Sequence, residues 1–236
     1  MQQEQSMHAR QLSTVTPVRP GWRRAWQLLG GALLACASMH HGLSQAQMVA
    51  QPICDVHPVE VRVDDSLKMR PVGRDLLVME DESGRLTLDQ AKATCTGWKA
   101  HSHSAIQNGI SRSAWWVRLK VRNTSSNAKK VFLDMQDSLQ DYVDVYVLDG
   151  MGKVKHQWFT GDRRPFEQRP IPDSAVVLPL DIPAGTTAEV MIRLAAYDGL
   201  HEVLTPVLRS EDNFTRHAQQ RTFVNALYVG VVAALI

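Results

Sequence analysis

Hydrophobic and polar positions alternate with a period of two through much of the chain, most clearly in Ser-Ala-Trp-Trp-Val-Arg-Leu-Lys-Val-Arg-Asn at 113–123. There Trp115, Val117, Leu119 and Val121 share one side, while Trp116, Arg118, Lys120 and Arg122 share the other. This is the pattern of a half-buried strand with a packed face and a wetter one. A one-residue slip would carry three cationic side chains into the core, so the register is expected to be strongly fixed.

The same theme recurs along the chain. Alternation or short apolar runs predict strands at 59–63, 76–80, 129–135, 142–148, 153–159, 175–180, 189–194 and 203–208, the last confined to an edge or a strand end by Pro206. Turn chemistry separates them at 81–84, 124–127 and 183–185, and Asp149-Gly150 with Gly152 marks a hairpin. Two helices are expected. A short one over 86–92 follows the Thr87 cap, with Asp89 and Gln90 in its first turn, and another over 211–221 is capped by Ser210 ahead of Glu211 and Asp212. Short strands spaced roughly 8 to 12 residues apart, with no crossover helices between them, predict a mainly β fold: an antiparallel sandwich or jelly roll rather than a parallel sheet.

The ends add location. Residues 1–24 are polar with Arg10, Arg19, Arg23 and Arg24, residues 25–38 are apolar, and Ser44-Gln45-Ala46 offers small residues for cleavage, so 1–46 read as a secretory signal cut after Ala46. The rival reading is a lipidated Cys36 after Leu33-Leu34-Ala35. Either route exports the chain. Residues 47–58 form a linker, 59–209 the folded domain and 210–221 a juxtamembrane helix. Residues 222–236 carry no charge and read as a first transmembrane helix cut short, which makes the chain a piece of a larger membrane protein; a buried core helix is the alternative. Without the leader the charge is 22 basic against 23 acidic residues, a net of −1, which disfavours a nucleic-acid partner. Cys54 and Cys95 are then an even pair in an oxidising compartment, and a disulfide between them is expected, two free buried thiols being the alternative.

Several short motifs carry a family likeness in their order and spacing. They are 77–88, Trp116-Val117-Arg118 with Asn123, Asp149-Gly150, Thr160-Gly161-Asp162 with Pro165-Phe166, and above all Gln168-Arg169-Pro170-Ile171-Pro172. Together they resemble the extracytoplasmic domain, 7TMR-DISM extracellular type 2, of bacterial seven-transmembrane receptors with diverse intracellular signalling modules. Tyr228 and Gly230 resemble the opening of the first span. Ile110 departs from the pattern, which has an aromatic before the strand. The resemblance implies a jelly-roll sensor domain, similar to carbohydrate-binding modules, in the periplasm and anchored in the inner membrane. It also implies an output of diguanylate cyclase or histidine kinase type that this chain does not include.

Candidate chemistry is sparse. Trp116 and Arg118 share the less apolar face of their strand, where a flat ring beside a fixed cation would bind a sugar or a carboxylate; alternatively Trp116 covers the sheet edge and Arg118 pairs with an acid such as Asp144. Arg169 is a candidate ligand clamp, or else is tied to backbone carbonyls in a rigid crossover between Pro170 and Pro172. His101, His103 and His57 are a weak metal set, with no Asp or Cys completing the spacing, so neither a metal nor a cofactor is implied. No nucleophile elbow and no Gly-rich phosphate loop is present, so the chain is read as a non-enzyme. The expected function is periplasmic ligand sensing, with a sugar or carboxylate as ligand, the membrane as partner and a homodimer left open. The alternatives are an anchored adhesion or carbohydrate-binding module and, more distantly, a secreted hydrolase.

Overall fold

A computed structural model describes residues 56–235, Ser138 excepted. The leader, the cleavage site, Cys36, Cys54 and Ile236 lie outside the described residues.

Two sheets face each other. The larger is ordered β4(Lys99–Ala100), β3(Leu77–Asp81), β5(Ala114–Asn123), β10(Thr187–Ala195), β7(Tyr142–Leu148), β8(Val154–Thr160), with β1(Glu60–Val63) also on β5. The smaller is ordered β2(Met69–Pro71), β11(Val207–Ser210), β6(Lys129–Asp134), β9(Val177–Ile182). The expected mainly β, antiparallel sandwich is the observed fold, with one correction. β1 pairs with β5 in parallel, Glu60 opposite Lys120 and Val63 opposite Asn123, while β3 takes the first half of the same edge antiparallel. β2 and β4 are additional strands of three and two residues, too short for periodicity to reveal.

The period-two pattern decides the packing. Val117, Leu119 and Val121 from β5, Val190, Ile192 and Leu194 from β10, Val143 and Val145 from β7, and Leu178 and Leu180 from β9 all enter the core between the sheets. Each outer face carries a smaller cluster. On the larger sheet, α1(Leu88–Ala93) brings Ala91 onto Leu77, Met79, Trp98, Trp116, Leu148 and Met191. Its start is a full capping box, Thr87 accepting from Gln90 N and Gln90 accepting in return from Thr87 N. On the smaller sheet, α2(Glu211–Ala234) lays Phe214 on Phe132, Ala175 and Val177.

The register sorts the connections to two ends of the sandwich. Segments 101–113, 135–141, 161–176 and 196–206 gather at one end; turns 124–128, 149–153 and 183–186 gather at the other. At the first end the chain is drawn tight at Gly161, whose φ of 129° and missing side chain allow its backbone to approach Asp141; a Cβ there would sit 2.2 Å from Asp141 O.

α2 is capped by Ser210, which accepts from Asn213 N, and runs unbroken from Glu211 to Ala234. Among the described residues no helix is long and apolar enough to cross a membrane.

Candidate functional site

The alternation on β5 leaves Trp116, Arg118, Lys120 and Arg122 on the outer face of the larger sheet, but the face is not uniformly wet. Trp116 is fully buried beneath Trp98 and the α1 cluster and stacks on Tyr146 with ring centroids 6.2 Å apart. This corrects the expectation of an exposed aromatic platform: α1 and Trp98 close over that end of the strand, so Trp116 is a packing residue. Solvent access then grows along β5, with Arg118 and Lys120 part-buried and Arg122 exposed.

Antiparallel pairing with β10 sets Glu189 opposite Lys120 and Met191 opposite Arg118. Arg118 Nε donates to Glu189 Oε1, and Lys120 Nζ lies 3.8 Å from Glu189 Oε2. The partner anticipated for Arg118 was an acid such as Asp144. That residue instead pairs with Arg193 on β10, at 3.3 Å, and with Arg164, at 2.6 Å. Arg122 Nε lies 3.6 Å from Glu60 Oε1 on β1. Glu189 is 9% exposed, and so deep a carboxylate is tolerated because it is paired. Two cations on one carboxylate leave a residual positive charge at that point.

The ladder floors two adjoining cavities. One, of ≈ 790 Å³, is lined by Glu60, Lys120, Arg122, Asp149, Lys155 and Glu189 among others; the second, of ≈ 710 Å³, includes Val56, Asp89, Lys92, Arg118 and Glu189. They share Lys120, Leu148, Met151, Gly152 and Glu189. Lys92 of α1 donates to Gly152 O at 2.9 Å, which ties the short helix to the β7–β8 turn between them. The Asp149 carboxyl at the rim is held below its ordinary 3.8 chiefly by the Lys153 N–H, with the Met151 N–H and Lys155 adding to it. Part-buried Arg118 and Lys120 on Glu189, with the exposed Arg122 on Glu60, are suited to hydrogen-bonding a small polar ligand with anionic or hydroxyl groups.

The other sequence candidates lie elsewhere. Arg169 Nη1 donates to the carbonyls of Asp173 at 2.8 Å and Ser174 at 2.5 Å, and its guanidinium lies 5.2 Å from the Phe166 ring centre, so it braces the crossover into β9. Arg118 and Arg169 are therefore not brought together. Cys95 follows the α1 cap residue Thr94 and lines the second cavity. The His101 and His103 rings are 5.9 Å apart, but His101 Nδ1 sits 2.8 Å from Gly73 O, and among the described residues no group of three or more His, Cys, Asp or Glu is placed to hold a metal ion. Reading the sequence did not single out Lys120, Arg122, Glu60 or Glu189. The alternation that exposed Arg118 already put Lys120 and Arg122 beside it, whereas the two glutamates are visible only once strands are paired.

Comparison with known proteins gives one substantial match. The model of the 7TMR-DISM extracellular 2 family matches residues 73–201, more than half of the chain. No curated protein matches. Among solved structures, the insecticidal crystal protein Cry2Aa is similar at 12% identity and a TM-score of 0.26, over 46% of this chain and 17% of that one. An exo-β-1,3-galactanase from Phanerochaete chrysosporium, solved with galactose, is similar at 13% identity and a TM-score of 0.23, over 51% and 31%. The chain thus spans less than a third of either protein, and likeness this slight carries no argument about fold or ligand. The family match reaches from the start of the turn before β3 to the loop after β10, and so takes in β5, β10 and the cation ladder between them: the chain belongs to the 7TMR-DISM extracellular 2 family, the extracellular sensor domains of membrane receptors.

Proposed function

We infer that this chain is the periplasmic ligand-sensing part of a membrane signalling receptor, that it binds a small carboxylate or acidic sugar in the groove above β5 and β10, and that it passes occupancy through α2. The observation that carries the reading is the ladder of Arg118, Lys120 and Arg122, with Glu189 paired to two of them at the floor of both cavities. An incoming carboxylate can take over one of the two cations on Glu189 without stranding that buried acid.

The rest of the organisation follows the same reading. Residues 1–46 direct export, 59–209 sense, 210–221 connect, and 222–236 enter the inner membrane toward an output domain. A Cys54–Cys95 disulfide belongs to the same reading, supported by Cys95 being a disulfide cysteine. α2 is suited to a transmitting role because it is one continuous helix from Ser210 onward, docked on the sandwich through few residues.

A thermal-shift series of the chain against sugars and small carboxylates tests the binding claim. A ligand that binds only the folded state must raise the melting temperature, and Lys120→Met and Arg122→Ala should each abolish that rise while Arg169→Lys leaves it in place. The claim fails if no compound shifts the midpoint, or if a shift survives both substitutions.

A further inference from the structure

The end of the sandwich remote from the ligand groove carries an unusual amount of exposed apolar surface. Ile110 is 86% exposed, Tyr197 71%, Leu139 57%, Leu200 52% and Val203 49%. These residues are not scattered. Ile110 and Leu200 face each other in an isolated antiparallel bridge, and the bridge next to it, Ile106 with Leu204, is buried. Gln140, beside Leu139, donates to Ala195 O at 2.7 Å and accepts from Glu202 N, while Tyr197 N donates to Asp141. The loops that present the patch are thus hydrogen-bonded into one platform.

α2 leaves the domain at the same end. Glu211 pairs with Lys130 near the start of β6, Phe214 stacks on Phe132 in the middle, and Arg221 pairs with Asp173 in the 161–176 loop, so the helix crosses the smaller sheet toward the loop platform. Beyond Arg221 it has no charge, and Phe223, Val224, Leu227, Tyr228, Val229 and Val231 are all more than half exposed.

We propose that the 101–113, 135–141 and 196–206 loops dock on the lipid surface, with Ile110, Tyr197 and Leu200 in the interfacial zone, and hold the sandwich upright with its groove facing away from the bilayer. The proposal rests on the reading above that α2 continues into the membrane. Two observations favour lipid over a second copy of the chain. The patch lies at the end of the sandwich toward which α2 runs before its uncharged stretch at 222–234, and Tyr197 offers an amphipathic ring suited to the headgroup region. Tyr197 also lies under Arg163, 4.1 Å from ring centre to guanidinium carbon. The four loops at this end carry seven acidic residues against four arginines, so docking is apolar rather than coulombic and weakens as the vesicles become more anionic.

The test is to reconstitute the full chain into phosphatidylethanolamine–phosphatidylglycerol vesicles that contain a phospholipid with a diazirine near its headgroup, and to map the photo-adducts by mass spectrometry. Adducts are expected on the peptides of Ile110, Tyr197 and Leu200 as well as on 222–234, with none on the remote turns at Met151 and Gly185. The Ile110→Ser/Leu200→Ser double variant should keep its thermal midpoint, because both side chains are exposed, and cut the adduct yield on the loop peptides by about an order of magnitude while leaving that on 222–234 in place. Adducts on 222–234 with clean loops, whether or not the chain has dimerised through them, overturn the docking alone. Absence of adducts on 222–234 overturns the membrane reading beneath it, and an unchanged loop-adduct yield in the double variant overturns the role given to these side chains.

Discussion

Arg209 on β11 donates from Nε to Oδ2 of Asp134 on β6 at 3.0 Å, and the pair is buried, Asp134 completely and Arg209 to within 6% of its surface. The other carboxylate oxygen accepts from Gln136 N, and the other arm of the guanidinium reaches Asn213 Oδ1 on α2 at 2.9 Å. One ion pair therefore joins the two central strands of the smaller sheet to the helix that leaves the domain. Arg209→Met should cost about 3–5 kcal/mol, because it leaves a buried carboxylate without its counter-charge. Urea unfolding followed by tryptophan fluorescence measures this, and the Arg209→Met/Asp134→Leu double variant should recover part of the loss. A single variant as stable as the parent would show that Asp134 has water access after all.

Phe132 and Phe214 stack with ring centres 4.4 Å apart and planes 19° from parallel, and they hold α2 on the smaller sheet together with Ala175 and Val177. Phe214→Ala should weaken that docking by about 3 kcal/mol, within the range for removing a buried aromatic. Because the cluster is separate from the core between the sheets, the loss should be local. Hydrogen exchange is expected to accelerate at 214–221 while β5 and β10 keep their protection; a uniform acceleration would mean that α2 and the sandwich unfold as one unit.

Acid should weaken the same interface. His217 is held below its ordinary 6.5, first by burial and then by Arg209 and Arg221, with Asp134 and Asp173 opposing. The folded chain thus holds fewer protons at this ring than the unfolded chain does near pH 6. Stability is complete above about 6.5 and falls as the pH drops through that value toward the folded one. His217→Gln should flatten the fall, seen as a smaller drop in melting temperature between about pH 7.5 and 5. An unchanged profile would place the acid sensitivity on other groups.

How much of this was legible beforehand follows from the range of the forces concerned. Thr87, Asp89 and Gln90 marked the start of α1 and Ser210 that of α2, because caps are satisfied within a few residues. The alternation at 113–123 named the inward residues of β5 correctly, since pleat geometry alone sends neighbouring side chains to opposite faces. Asp149 and Gly152 placed the β7–β8 hairpin for the same local reason.

What the chain could not announce is which neighbours each face meets. Trp116 alternates with the core residues and so was read as the wetter side, yet α1 and Trp98, distant in sequence, fold over it. Arg118 has Glu189 rather than Asp144, because β10 rather than β7 lies against β5. The parallel placement of β1 and the gathering of four loops at one end of the sandwich have the same origin. Sequence by itself determined the longer elements, their inward faces and the turns between them, through contacts a few residues long. Only the tertiary structure decided the cation ladder, the groove above it and the apolar platform opposite, because each depends on strand order, which is set by burying apolar area between segments far apart along the chain.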